Sequence, residues 1–364
     1  MAKSNTILFI FILTSFSTLG LSAYNVVDFG ARPDGQTDSA DAFLKAWGMA
    51  CRSREPSIVY IPQGNFYVSS ALFWGPCKNS ILVLIKGTII ATSSIGSSAI
   101  KWLEFQNVQG LTILGGTLDG RGQALWACKL AHRSCPLGSI SLTISKSKNV
   151  LISGLKSLNS KLMHVSIQFS EDVTVRNSFM IAPIYSLNTD GVHIQQSTGV
   201  NVLMSVIKTG DDCISMKPGT SNVYINHIYC GPGHGISIGS LADSVNEPGV
   251  QNITVKSVVF DHTQNGFRIK TWGRPSNGFV KDVSFHNAIM RNVHNPIIVD
   301  QNYCPNAYNC PGHSSVKLDC SKEYPCTGMK LHNIKLYYGK SKAQTFCRNA
   351  QGSSSGFVIP PSCF

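Results

Sequence analysis

The sequence predicts a right-handed parallel β-helix whose N-terminal end is closed by a short helix. Three observations lead there. The first is a fixed period: Asp190 precedes Asp212 by 22 positions and Asp212 precedes His234 by 22, while the apolar pairs Val192/Ile194, Ile214/Met216 and Ile236/Ile238 keep the same register. A constant period on strand-like segments marks a solenoid whose equivalent positions stack above one another. The second is a recurring triplet with apolar ends: Leu111-Thr112-Ile113, Val150-Leu151-Ile152, Val173-Thr174-Val175, Val200-Asn201-Val202, Val223-Tyr224-Ile225, Ile253-Thr254-Val255 and Val283-Ser284-Phe285. From Val150 onward its spacing runs from 23 to 30 residues, so the coils are alike and the loops vary. The third is composition: 32 glycines with short alternating runs and few helical periodicities favour wound coils over a sandwich.

Along the chain, Lys3, an apolar run from Ile7 to about Leu21 and the small residues Ser22 and Ala23 read as a secretory signal peptide over residues 1–23. That run is too short to span a bilayer comfortably, and no later apolar run is long enough, so no membrane association is expected after cleavage. Residues 24–364 are read as one solenoid domain, because the repeats leave no linker within them. Tyr24 to Gly35 gives a short strand and a turn. Thr37 and Asp38 then lead into a helix from Ser39 to Cys51, suited to covering the open end of the first coil. Short strands follow at 57–62, 81–85 and 89–90, and the repeating coils start near Val108. The long gap from 111 to 150 holds Cys128 and Cys135, which suggests a disulfide-tied loop. Asn252-Ile253-Thr254 is an N-glycosylation acceptor whose use depends on whether Asn252 points outward.

Twelve cysteines, none in a Cys-x-x-Cys pair, fit disulfides in an oxidising compartment. Cys51 with Cys77, Cys213 with Cys230, Cys320 with Cys326, and Cys347 with Cys363 are plausible neighbours, although spacing does not fix connectivity. A bridge at Cys213 would hold the turn that carries Asp212. The formal charge is +12, spread through the chain rather than gathered in runs, and it attracts polyanions. Without a basic helix or an RNA-binding aromatic motif, nucleic acid is not expected. An acidic extracellular polysaccharide fits better.

Four polar fragments lie in or just before the alternating runs: Asn188-Thr189-Asp190, Gly210-Asp211-Asp212, Gly233-His234-Gly235, and Arg268-Ile269-Lys270. Stacked strands lie about 4.8 Å apart, so Asp190, Asp212 and His234 form a column with Asp211 beside it. Arg268 and Lys270, two apart, point the same way and flank the carboxylates. Carboxylates this close cannot all ionise freely, and one raised pKa would supply a general acid. Glycoside hydrolysis by inversion needs that acid and carboxylates that activate water about 6.5–9.5 Å away. Any single fragment reads more readily as an ordinary turn, since Asn, Asp and Gly are turn residues; their joint register is what points to a site. Calcium on the paired aspartates is the weaker alternative, because a histidine and two cations oppose it. His193 shares the strand face of Arg268 and either lines the cleft or packs as a structural histidine. No Gly-x-Ser-x-Gly elbow supports a serine nucleophile.

Together these blocks resemble the polygalacturonases of glycoside hydrolase family 28, over nearly the whole mature chain. The resemblance implies hydrolysis of α-1,4-linked galacturonate in pectin (homogalacturonan) with inversion, without metal or cofactor, by a monomer secreted to the cell wall. It implies Asp190 and Asp212 as partners of the attacking water, Asp211 as proton donor and His234 as the family histidine. Asn188, Arg268, Lys270 and Tyr303 are the implied substrate contacts. One departure stands out: Ser314-Ser315-Val316-Lys317 runs directly into Leu318-Asp319-Cys320-Ser321, where similar plant-type sequences insert about one further coil. The competing expectations are a pectin-binding wall protein that no longer cleaves, and a related hydrolase of rhamnogalacturonan.

Overall fold

The computed structural model describes residues 22–95, 99–304, 316–339 and 341–364. The leader expected over residues 1–23 lies outside them except for Ser22 and Ala23, which pair with Ser57 and Ile58. Ser314 and Ser315 also lie outside the described residues.

The chain winds as a parallel β-helix. One sheet of 16 strands forms the walls, and a second of 11 strands forms the remaining face, here called the floor. All their pairings are parallel, because each coil lays its strands on those of the coil before. Thus Leu111 faces Val150, Val150 faces Val173, Val200 faces Val223, Val223 faces Ile253 and Ile253 faces Val283. The triplets named above are these wall strands. Their apolar ends point inward, and Val150, Val173, Val200, Val223 and Ile253 are all buried. Burying such a side chain fully contributes about 1.5–3 kcal/mol, so stacked rows of Val and Ile hold successive coils together.

Helix Ala40–Arg52 closes the N-terminal end, burying Phe43, Ala46 and Trp47. Trp47 packs edge-on against Phe73 and Phe105 at ring separations of 5.5 and 5.3 Å. Ser39 occupies the N-cap position without capping through its side chain. Asp38 Oδ1 takes that role instead, accepting from Ala40 N at 3.0 Å and from Ser69 N at 3.1 Å. The four suggested disulfides form, as does Cys128 with Cys135. Asn252 is exposed, and its side chain donates to Asn222 on the preceding coil.

At the C-terminal end the two sheets fall out of step. The floor continues from strand Asn265–Trp272 to Asn295–Tyr303, Val316–Asp319 and Thr345–Arg348. Among the described residues the wall sheet ends at strand Val280–Arg291, and the later strand Cys326–Lys335 pairs only with Ala350–Ile359. Among the described residues one wall strand therefore has no counterpart, beside the place where the sequence runs a coil short. The consequence appears in burial: Ile253, Val255, Val258 and Phe260 are fully buried, whereas their neighbours Val283, Phe285, Ala288 and Met290 are only half-buried.

Candidate active site

Three turns stack at one edge of the floor, each leading into a floor strand. Gly191 N donates to Asp212 O at 3.0 Å, Cys213 N to Gly235 O at 2.7 Å, and His234 N to Asp211 O at 2.7 Å. Val192, Ile214 and Ile236 then pair in register, as do Ile194, Met216 and Ile238. The column of Asp190, Asp212 and His234 is thus a backbone fact. Gly235 has a φ of +90°, and a Cβ there would collide with the Asn265 carbonyl, so the turn requires glycine. The buried Cys213–Cys230 disulfide ties the Asp212 turn to the wall behind it.

The side chains divide the three carboxylates into different environments. Asp212 is 2 % exposed. Its Oδ1 accepts from Arg268 Nη2 and Ser237 Oγ, each at 2.7 Å, and its Oδ2 accepts from Lys270 Nζ at 3.0 Å. Burial by itself would raise its pKa. The two cations and the Ser237 hydroxyl outweigh that, holding the carboxyl well below the ordinary carboxylate range. For Asp212, then, crowding does not produce the raised pKa that three close carboxylates suggest; Arg268 and Lys270 reverse it.

Asp190 is buried and accepts from Ser215 Oγ at 2.6 Å. The same hydroxyl lies 2.8 Å from His193 Nδ1, which stands 3.5 Å from Asp190. His193 is therefore packed into the floor beside Asp190. Asp211 is the most open of the three, with 18 % of its side chain exposed. It sits between His234 Nδ1 at 3.1 Å and Asn188 Nδ2 at 3.4 Å. Asp211, Asp212 and His234 bring oxygen and nitrogen atoms within 4.8 Å of one another. A divalent cation there would have to compete with Arg268 and Lys270, which already engage both Asp212 oxygens.

Every residue singled out in the sequence lies at this edge or beside it. Tyr303 presents its ring 5.4 Å from Lys270 Nζ and packs at 4.9 Å on Trp272, whose own ring lies 5.3 Å from the Arg274 guanidinium. Three residues escaped the motif reading: Ser215 and Ser237, which orient the buried carboxylates, and Lys217, which follows them on the same face. For the two serines the signal was a hydroxyl at the centre of the Ile-Ser-Met and Ile-Ser-Ile runs, an outward position on a strand whose flanking residues face the core.

Comparison with known proteins agrees with the fold. The sequence model of glycosyl hydrolases family 28 matches residues 51–314. A polygalacturonase of Prunus persica is 46 % identical, covering 99 % of this chain and 98 % of its own. That match runs over 386 positions, at least 22 more than the 364 residues here, so about a coil's length of the relative has no counterpart. An exopolygalacturonase of Platanus acerifolia is 39 % identical, covering 93 % of this chain and 97 % of its own. Among solved structures, the polygalacturonase of Erwinia carotovora superposes with a TM-score of 0.66 at 23 % identity, covering 93 % of this chain and 96 % of its own.

Proposed function

The chain belongs to the glycosyl hydrolases of family 28, and we propose that it is a secreted polygalacturonase that cleaves α-1,4-galacturonosyl bonds of pectin with inversion. One observation carries the reading: two adjacent carboxylates are held in opposite environments. Asp212 is buried and kept ionised by Arg268 and Lys270, while Asp211 lies open to the cleft between His234 and Asn188. Pairs of carboxyls driven apart in this way divide acid and base work between them.

In this reading Asp211 donates its proton to the leaving glycosidic oxygen. His234, hydrogen-bonded to Asp211 Oδ1, orients that carboxyl and accommodates its charge when the proton departs. Asp190 and Asp212 hold the attacking water on the opposite face of the sugar and accept its proton. Ser215 and Ser237 fix which oxygen of each carboxylate points to the water. Lys270 and Arg268 bind a substrate carboxylate while keeping Asp212 ionised, with Asn188 and Tyr303 contacting the sugars. No metal or cofactor is called for. The five disulfides among the described residues support secretion to an oxidising cell-wall compartment. No described helix is long and apolar enough to cross a membrane. We read residues 24–364 as one hydrolase domain acting as a monomer.

The coil that the sequence lacks near Val316 favours one competing reading, a wall protein that binds pectin without cleaving it. Release of reducing ends from polygalacturonate separates the two. Release by the wild type, abolished in Asp211→Asn, is expected; binding without release supports the competitor, and release from rhamnogalacturonan alone overturns the substrate assignment. Sizing the products gives the mode of attack, a ladder meaning endo and monomer alone meaning exo.

A further inference from the structure

Lys217 follows floor strand Ile214–Met216, whose last residue pairs with Ile194 and Ile238, and its backbone N–H donates to Ile194 O at 2.8 Å; continued by one residue, that register sets it level with Gly239, which pairs with Lys270. Alternation gives it the same face as Ser215, the face on which Asp190 and Asp212 receive their hydrogen bonds. Gly239, between Lys217 and Lys270 in that row, contributes no side chain. Two cations of the floor are engaged: Arg268 and Lys270 bond Asp212 at 2.7 and 3.0 Å. Lys217 differs. It is half-buried, its ammonium makes only long contacts to Ser240, at 3.4 Å to Oγ and 3.5 Å to the carbonyl, and among the described residues it forms no ion pair.

Burial chiefly, and then the like charge of Lys270, pushes the Lys217 pKa down, while Asp190, Asp212 and Asp243 act the other way from a distance. A partly buried ammonium without an adjacent anion is costly, and a carboxylate delivered by a ligand relieves that cost. We propose that Lys217 is a carboxylate-binding position of the cleft, taking the uronate carboxylate of a sugar next to the one held by Arg268 and Lys270. This inference rests on the polygalacturonase reading and adds a specificity to it. A methyl ester at that sugar brings no charge to Lys217, so the position favours contiguous unesterified galacturonate.

The test compares wild type, Lys217→Met and Lys217→Arg on unesterified and on partly methyl-esterified polygalacturonate. Lys217→Met should raise KM for the unesterified polymer about tenfold, with a smaller effect on kcat, and narrow the preference for it over the esterified polymer; Lys217→Arg should restore most of both. Thermal unfolding of Lys217→Met should match or exceed that of the wild type, since an unpaired charge has left the floor. Unchanged KM and unchanged preference in the folded Met variant overturn the proposal. Should the wild type release no reducing ends from any of these substrates, the underlying activity fails separately. Calorimetric binding of trigalacturonate then decides for Lys217: about tenfold weaker binding by the Met variant supports it, and equal binding overturns it.

Discussion

Arg268 Nη2 lies 2.7 Å from Asp212 Oδ1, in a floor where Asp212 is 2 % exposed and Arg268 is 9 % exposed. Asp212 lies in the turn entering floor strand Ile214–Met216 and Arg268 in floor strand Asn265–Trp272, with strand Ile236–Leu241 between them, and the guanidinium reaches its carboxylate across Ser237, to which Arg268 Nε donates at 3.0 Å. Removing one partner of a buried pair strands the other. Arg268→Met should therefore lower unfolding stability by about 3–5 kcal/mol, read as a fall in the urea midpoint.

The pairing also fixes a pH dependence. The folded pKa of Asp212 is depressed, so its stabilising contribution is complete above its unfolded pKa of about 4 and is lost as pH falls through the folded value. Asp212→Asn should be less stable at neutral pH and lose less further stability on acidification than the wild type. Parallel acid limbs for the two proteins would contradict the ion-pair account.

Asp211→Asn keeps the shape of the side chain and removes the exchangeable acid proton. Its kcat should fall by about 10²–10⁴-fold with an unchanged thermal midpoint. Wild-type-like turnover would move the acid role elsewhere.

Ser215 touches both Asp190 and His193, at 2.6 and 2.8 Å, and acts on the water only through Asp190. Ser215→Ala should lower kcat roughly tenfold with KM little changed, as expected when a buried carboxylate loses the hydrogen bond that aims it, a loss worth about 1–3 kcal/mol. A variant whose KM alone rises would place Ser215 among the substrate contacts instead.

The wall edge at strand Val280–Arg291 predicts a gradient of local stability. Amides of 280–291 and 326–335 should exchange with solvent faster than those of 221–230 and 250–261, which are paired on both sides. Ile253→Ala should cost about 2–5 kcal/mol and Val283→Ala distinctly less, because Val283 is already half-buried. Equal protection across these strands would mean that the C-terminal coils are closed some other way.

Much of this was legible in the sequence for one physical reason. A β-helix repeats its inward apolar positions at nearly fixed spacing, so Val150, Val173, Val200, Val223 and Ile253 disclose the coils. The same period reveals the column of Asp190, Asp212 and His234. Spacing gives backbone neighbours, however, and not the direction of side chains. Asp212 bonds Arg268 and Lys270, more than fifty positions away in the chain, while His234 turns to Asp211 rather than to its column neighbour. Ser215 and Ser237 read as strand filler until their hydroxyls meet carboxylates. The short coil near Val316 was visible, but its effect, a floor that continues while the wall sheet of the described residues ends at Val280–Arg291, needed the pairing. The capping signal at Thr37 and Asp38 resolves onto Asp38, whose Oδ1 accepts from Ala40 N, while Ser39 Oγ accepts from Arg32 N.

The stereochemistry of the first product tests the central claim most directly, because it reports where water stands relative to Asp211. Proton NMR of freshly hydrolysed trigalacturonate should show the new reducing end appearing first as the β-anomer, before mutarotation, if Asp190 and Asp212 deliver water to the face opposite the proton donor. Initial accumulation of the α-anomer would contradict the account.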